Sequence, residues 1–202
     1  HPDLSRVSVV AGDYHEGQLS EAMSDSALVA DVVETWMKHG ENRPTLVFAV
    51  DRAHAKKLQN QFLEAGINAA YQDMRTPDHE RRAIKAGFHD GRYPVVCNVG
   101  TLTTGVDWDV RCIVMARPTR SEILFVQIIG RGLRPKAGSP SDCLILDHSD
   151  STLRLGFVTD IQRDTLSTGK EAGKQEKKEA LPKECPNCAY LMPPRVNPCP
   201  SC

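Results

Sequence analysis

Residues 45–71 read "TLVFAVDRAHAKKLQNQFLEAGINAAY", and the change of period along this stretch decides the fold. Residues 45–50 are a short continuous apolar run, as expected of a strand buried on both faces. Residues 53–66 are amphipathic at helical spacing and end at a glycine, with Asp51 placed to cap the helix. Residues 67–71 are apolar again, so the unit is strand, helix, strand.

The same alternation extends outward. Upstream, "ALVADVVETWMKHG" (27–40) has apolar residues at helical spacing, with Ser24, Asp25 or Ser26 as caps, Gly40 as the stop and Trp36 on the core side. Downstream, "TPDHERRAIKAGFHDG" (76–91) opens with Thr-Pro at a helix N-terminus, and "YPVVCNV" (93–99) is rich in β-branched residues. "RCIVMA" (111–116) and "DCLILD" (142–147) are further buried strands, separated by the helical "SEILFVQIIGRG" (121–132). Five short strands alternating with helices predict an α/β fold with a mostly parallel sheet covered on both faces. Ligands of such sheets lie at the C-terminal ends of the strands. Residues 12–25 are polar and acidic, and residues 161–184 lack the apolar content to fold alone, which makes them a linker or an exposed helix.

Charge selects no partner: 25 Lys and Arg stand against 26 Asp and Glu, so a nucleic-acid contact must use local basic groups. No stretch approaches the roughly 18 apolar residues of a membrane helix, and the N-terminus lacks a signal-peptide pattern, so the chain reads as a soluble intracellular protein without a membrane partner. Of the seven cysteines, Cys97, Cys112 and Cys143 sit singly in apolar runs as small core residues. Cys185, Cys188, Cys199 and Cys202 form two C-x-x-C pairs ten residues apart. Two such knuckles complete a closed tetrahedral zinc site of structural type; two disulfides or four unrelated thiols are the alternatives.

Arg131 and Arg134 lie at the end of an apolar helix, where two arginines by themselves fit a match to the helix dipole. Their neighbours change that reading: Gln127, Gly130, Arg131 and Arg134 spell Q-x-x-G-R-x-x-R, and "TLTTGVDWD" (101–109) places Gly105 and Asp107 just after a buried strand. Together with "LVFAVDRAHAKKLQNQFLEAGI" and "ERRAIKAGFHDGRYPVVCNVGTLTTGVDWD", the string "RPTRSEILFVQIIGRGLRPKAG" resembles motifs IV to VI of superfamily 2 DEAD/DEAH-box helicases. The resemblance covers about residues 26–150, and "TLTTGVD", "GRGLRP", "SDCLILD" and the cysteine-rich end are similar to RadD-type bacterial members.

The resemblance implies a RecA-like (P-loop NTPase type) sheet and an upstream RecA-like domain, with ATP and Mg²⁺ in the cleft between the two. This sequence has no G-x-x-x-x-G-K-[ST] loop and no D-E-x-H box, so it reads as the C-terminal part of a longer protein. Under the resemblance, residues 1–25 lead in from the upstream domain, 26–160 are the helicase C-terminal domain, 161–184 the linker and 185–202 a zinc ribbon. Arg131 and Arg134 match the arginines that neutralise charge on the transferred phosphoryl group. Gln127 matches a position that bonds to nucleotide or to motif V. Gly105 allows close backbone approach, and Asp107 bonds to ribose or to a motif VI arginine. Nucleic acid is expected across the same strand ends, held by Arg52, Asn98 and Thr101, each of which equally fits a turn or helix cap. Trp108 fits either base stacking or the core. Thr104 replaces the acidic residue that many relatives carry before the motif V glycine, and "YQDMR" (71–75) replaces their glycine-containing pair.

The expected function is the motor half of an ATP-dependent DNA helicase or translocase. It would act on single-stranded or branched DNA, with RNA not excluded, as a monomer in the bacterial cytoplasm; the motor of a restriction system shares these motifs. A non-catalytic binding module on a RecA-like scaffold is the other class of reading, and the complete arginine set argues against it. A self-contained nucleotide-binding domain is disfavoured by the missing phosphate loop.

Overall fold

The computed structural model describes residues 1–103, 107–134, 142–161 and 181–202, which form two compact units, His1–Asp150 and Ser151–Cys202. Gly105, Thr104 and most of the linker read over residues 161–184 lie outside the described residues.

The first unit opens with a hairpin, β1 (Val9–Val10) and β2 (Asp13–Tyr14), turned through Ala11 and Gly12, both at positive φ, and continues into α1 (Glu16–Met23). The polarity of residues 12–25 hid these elements, since only Leu19 and Met23 of α1 are buried. Then follow α2 (Ser26–His39), β3 (Thr45–Phe48), α3 (Arg52–Glu64), β4 (Ala69–Gln72), α4 (Asp78–His89), β5 (Val95–Asn98), β6 (Cys112–Met115), α5 (Glu122–Ile129) and β7 (Leu144–Asp147). All five strands read from the apolar runs are present. They form one parallel sheet in the order β4-β5-β3-β6-β7.

The local signals work as their chemistry requires. Asp25 caps α2 by accepting from the amides of Ala27 at 2.8 Å and Leu28 at 3.4 Å, and Asp51 caps α3 by accepting from His54 N at 2.8 Å. Before α4, Thr76 closes a turn rather than the helix, its hydroxyl accepting from Asp73 N at 2.9 Å. Every residue of β3, β5 and β6 is buried, which needs cover on both faces. One face packs Val47, Val95, Cys97, Cys112 and Val114 against Val29, Val32, Val33 and Trp36 of α2 and Ala55, Leu58 and Phe62 of α3. Trp36 is core, as read, and its indole N–H donates to Thr45 Oγ1 at 2.8 Å. The alternate strand residues, Leu46, Val96, Ile113 and Met115, are also buried, and α5 contributes the buried Phe125, Ile128 and Ile129. This is a RecA-like sheet flanked by helices.

The connection leaving β3 runs toward β4, whereas that leaving β6 runs toward β7, so the topological switch point lies between β3 and β6. The N-terminal segment covers it. Leu19 and Met23 pack with Val50 beyond β3, joined by Leu4, Val7 and Tyr14. Ser20 Oγ donates to Asp51 at 2.6 Å, and Asp13 accepts from Thr119 Oγ1 at 2.8 Å and Arg120 N at 2.7 Å beyond β6.

The second unit begins with α6 (Ser151–Leu155) and ends in a small antiparallel pair, β8 (Lys183–Glu184) and β9 (Leu191–Met192).

Candidate functional sites

Arg131 and Arg134 follow α5 in a tight turn, with Arg131 N bonded to Ile128 O at 3.1 Å and Gly132 N to Ile129 O at 3.0 Å. Arg131 Nε donates to the carbonyl of Gln127 at 3.2 Å, which ties the first arginine to the glutamine one turn earlier. Burial, and then the neighbouring Arg134 charge, lower the pKa of Arg131 from its ordinary value.

Asp107 meets Arg134 Nη1 at 3.7 Å while remaining 95% exposed. This is one of the two partners expected for it. Trp108, next in sequence, turns inward and packs on Phe88 with ring centroids 4.9 Å apart, so it belongs to the core and presents no face to a base. Asp109 then pairs with Arg111, whose Nε lies 2.6 Å from Oδ1.

Arg111 was missed in the sequence. It is buried, and its Nη2 also reaches the backbone carbonyl of Arg134 at 3.5 Å. An arginine heading an apolar strand, two residues after an aspartate, was the available signal: a buried guanidinium needs both a carboxylate and a carbonyl nearby. Gln127 is half-buried on α5, and Gly105 lies outside the described residues.

The nucleic-acid candidates lie elsewhere. Arg52 is exposed at the first residue of α3, just beyond β3. Asn98 ends β5 with no exposed surface, and its amide donates across the sheet to Val47 O at 2.9 Å. It braces two strands internally, which corrects the expectation of a surface contact. Its Oδ1 and the half-buried Thr101 Oγ1 are buried atoms without a hydrogen-bond partner among the described residues, as is Oε1 of Gln72, the residue in register with Asn98 on β4.

The expectation that both sets share the same strand ends is also corrected. Arg52, Asn98 and Thr101 follow or end β3 and β5. Arg134 is bound instead beside Arg111, which leads into β6, and Gly132 lies against Cys143, which leads into β7. In a parallel sheet these are opposite ends, separated by a four-residue strand of about 13 Å.

In the second unit the Sγ atoms of Cys185, Cys188, Cys199 and Cys202 all lie within 4.8 Å of one another. Cys185 is 3.7 Å from Cys202, and Cys188 is 3.7 Å from Cys199. Tetrahedral zinc with Zn–S of about 2.3 Å requires sulfurs about 3.8 Å apart, whereas a disulfide requires about 2.05 Å. The four thiols are free and have the geometry of a structural zinc site. Backbone amides of Asn187 and Cys188 lower the Cys185 thiol to about 7, whereas Cys202, despite the opposing bond from Asn187, is pushed up to about 11 by the other cysteines, so a metal binding there displaces protons. Beyond Cys185, Cys185 N bonds to Tyr190 O at 3.0 Å and Ala189 N to Cys185 O at 2.9 Å, folding the chain back over this knuckle. Ser201 N donates to Cys199 Sγ at 3.4 Å.

Residues 27–136, just over half of the chain, match the family model of the helicase conserved C-terminal domain. A 51.5 kDa protein of a Lactococcus phage (isolate 7-9) is 28% identical over 203 residues, covering 99% of this chain and 44% of its own length. IRC3 of Saccharomyces cerevisiae, provisionally named an ATP-dependent helicase, is 36% identical over 149 residues, covering 72% of this chain and 22% of its own. The chain spans less than half the length of these curated relatives. The crystal structure of the Escherichia coli DEAD-box protein SrmB bound to regulator of ribonuclease activity A matches with TM-score 0.51 at 24% identity, covering 59% of this chain and 70% of that one. No helix among the described residues is long and apolar enough to cross a membrane.

Proposed function

Because the chain belongs to the helicase conserved C-terminal domain family, we propose that it is the second of two RecA-like motor domains in an ATP-dependent DNA helicase or translocase of RadD type. The observation that carries this reading is the placement of Arg131 and Arg134 on one turn at the end of α5, with Asp107 3.7 Å from Arg134. A scaffold has no use for such a pair, and a self-contained nucleotide site is disfavoured by the missing phosphate loop.

In the proposed reaction, the upstream RecA-like domain cradles the phosphates and Mg²⁺. Arg131 and Arg134 enter the cleft from this side and neutralise charge on the transferred phosphoryl group, an effect worth roughly 10³ to 10⁵ in rate. Asp107 holds Arg134 until the phosphate arrives. Gln127 orients Arg131 through its carbonyl and presents its side chain to the nucleotide or motif V, with Gly105 admitting the close approach. Hydrolysis then requires domain closure, which couples chemistry to movement along the strand. The exposed Arg52 contacts the phosphate backbone of single-stranded DNA at the other end of the sheet. The four cysteines hold a structural zinc, and that module adds a nucleic-acid or protein contact.

The test is ATP hydrolysis by the full-length protein with and without single-stranded DNA. DNA-stimulated hydrolysis should fall at least about a hundredfold in Arg131→Ala and in Arg134→Ala, with melting temperatures unchanged. Wild-type rates in both variants would defeat the reading.

A further inference from the structure

Gly132 stands between the two arginines, and its surroundings leave no room for a side chain. A β-carbon built there would lie 2.2 Å from Cys143 Sγ, 3.0 Å from Cys143 Cβ and 3.1 Å from Ile113 Cδ1. The sulfur can swing aside, since it ends a half-buried side chain. The other two atoms cannot yield as readily. Cys143 leads directly into β7, where Leu144 N is bonded to Arg111 O at 3.0 Å, and Ile113 is fully buried within β6. The turn that carries both arginines is thus pressed against the incoming ends of two sheet strands at the one residue without a Cβ.

We propose that Gly132 is a positioning residue for ATP hydrolysis. Its contact with Cys143 and Ile113 seats the 131–134 turn on the sheet, and that seat fixes how far both guanidinium groups reach toward the phosphate. The proposal rests on the catalytic reading of Arg131 and Arg134. Any side chain at 132 lifts the turn by a fraction of an ångström to about one ångström, displacing both arginines while leaving their chemistry intact. Displacements of that size cost on the order of a hundredfold in rate when a charge must be met at contact distance.

The experiment is steady-state, DNA-stimulated ATP hydrolysis by the full-length protein carrying Gly132→Ala, Cys143→Gly, or both. Gly132→Ala should lower kcat about ten- to a hundredfold, with KM for ATP within about twofold, because the partner domain holds the nucleotide. Cys143→Gly alone takes away part of the seat but leaves Ile113 beneath the turn, so it should lower kcat by no more than about threefold, less than Gly132→Ala does. The double variant, which removes two of the three close contacts, should recover at least half of the loss on a logarithmic scale.

Full kcat in Gly132→Ala, or a loss that Cys143→Gly does not restore, overturns the seat. If Gly132→Ala lowers the melting temperature by more than about 10 °C, Cys143→Leu presses on an unaltered glycine from the opposite side. It should show the same fall in kcat, and full activity there also overturns the seat. Arg131→Ala and Arg134→Ala measured in parallel separate the two ideas. If the arginine variants collapse while Gly132→Ala does not, only the seat fails. If the arginine variants keep wild-type rates, the catalytic reading itself has failed.

Discussion

At the scale of single residues, the buried groups show most directly how sequence becomes energetics. His54, in the first turn of α3, is almost fully buried, and its Nδ1 lies 3.3 Å from Val50 N, accepting that amide's proton. Burial pushes its pKa down to about 4; the Asp51 charge opposes this and Lys57 adds to it. An unfolded histidine titrates near 6.5, so between roughly pH 6.5 and 4 the unfolded chain binds the extra proton and stability falls as pH falls. The contribution is about 2 kcal/mol between pH 7 and pH 5. His148, also lowered by burial, acts in the same direction. Urea midpoints at the two pH values should therefore differ less in His54→Asn, whose amide oxygen can still accept from Val50; an unchanged difference would exclude His54 as the titrating group. Asn98 teaches a related lesson. Its residue type and strand-end position suit a phosphate contact, yet its lack of exposed surface depends on neighbours that no local string reveals.

At the scale of elements, the C-terminal hairpin with its two knuckles is too small to be held by a core, and β8 and β9 have two residues each. Its order must come from the four sulfurs. We expect the purified protein to carry one zinc per chain, and Cys188→Ser to retain at least tenfold less after dialysis against a weak chelator, measured by elemental analysis. Zinc content unaffected by the substitution would remove the site. The C-x-x-C spacing made this cluster legible, because ligand geometry is built into the local chain. The sheet was legible for a similar reason: buried parallel strands must be apolar throughout, and α2 and α3 announce themselves by period and cap. The hairpin β1–β2 and α1 were not, since they are held by a few long-range contacts, Asp13 to Thr119 and Ser20 to Asp51, from a polar background. Arg111 was hidden likewise: its partner carbonyl is 23 residues away in the chain.

At the scale of the whole molecule, the N-terminal segment closes the crevice where a doubly wound sheet would take a ligand of its own. Leu19 and Met23 are buried there with Val50, and burying two such side chains is worth roughly 3–6 kcal/mol, a large share of an ordinary domain's stability. The family match begins only at residue 27, so a fragment cut to that boundary discards this cover. Removing residues 1–24 should lower the melting temperature by at least about 10 °C and make the protein aggregate on concentration; unchanged melting would show that the segment is dispensable. The placement of the two candidate surfaces at opposite ends of the strands has a mechanical meaning. A parallel sheet bonded along β4-β5-β3-β6-β7 hardly stretches, so a push on the arginine turn reaches the far loops as a tilt of the whole block. Under the proposed motor reading, such a tilt moves those loops in proportion to the strand length, about 13 Å for four residues. In the proposed cycle the domain acts as a crank, and its stroke is set by the length of its strands.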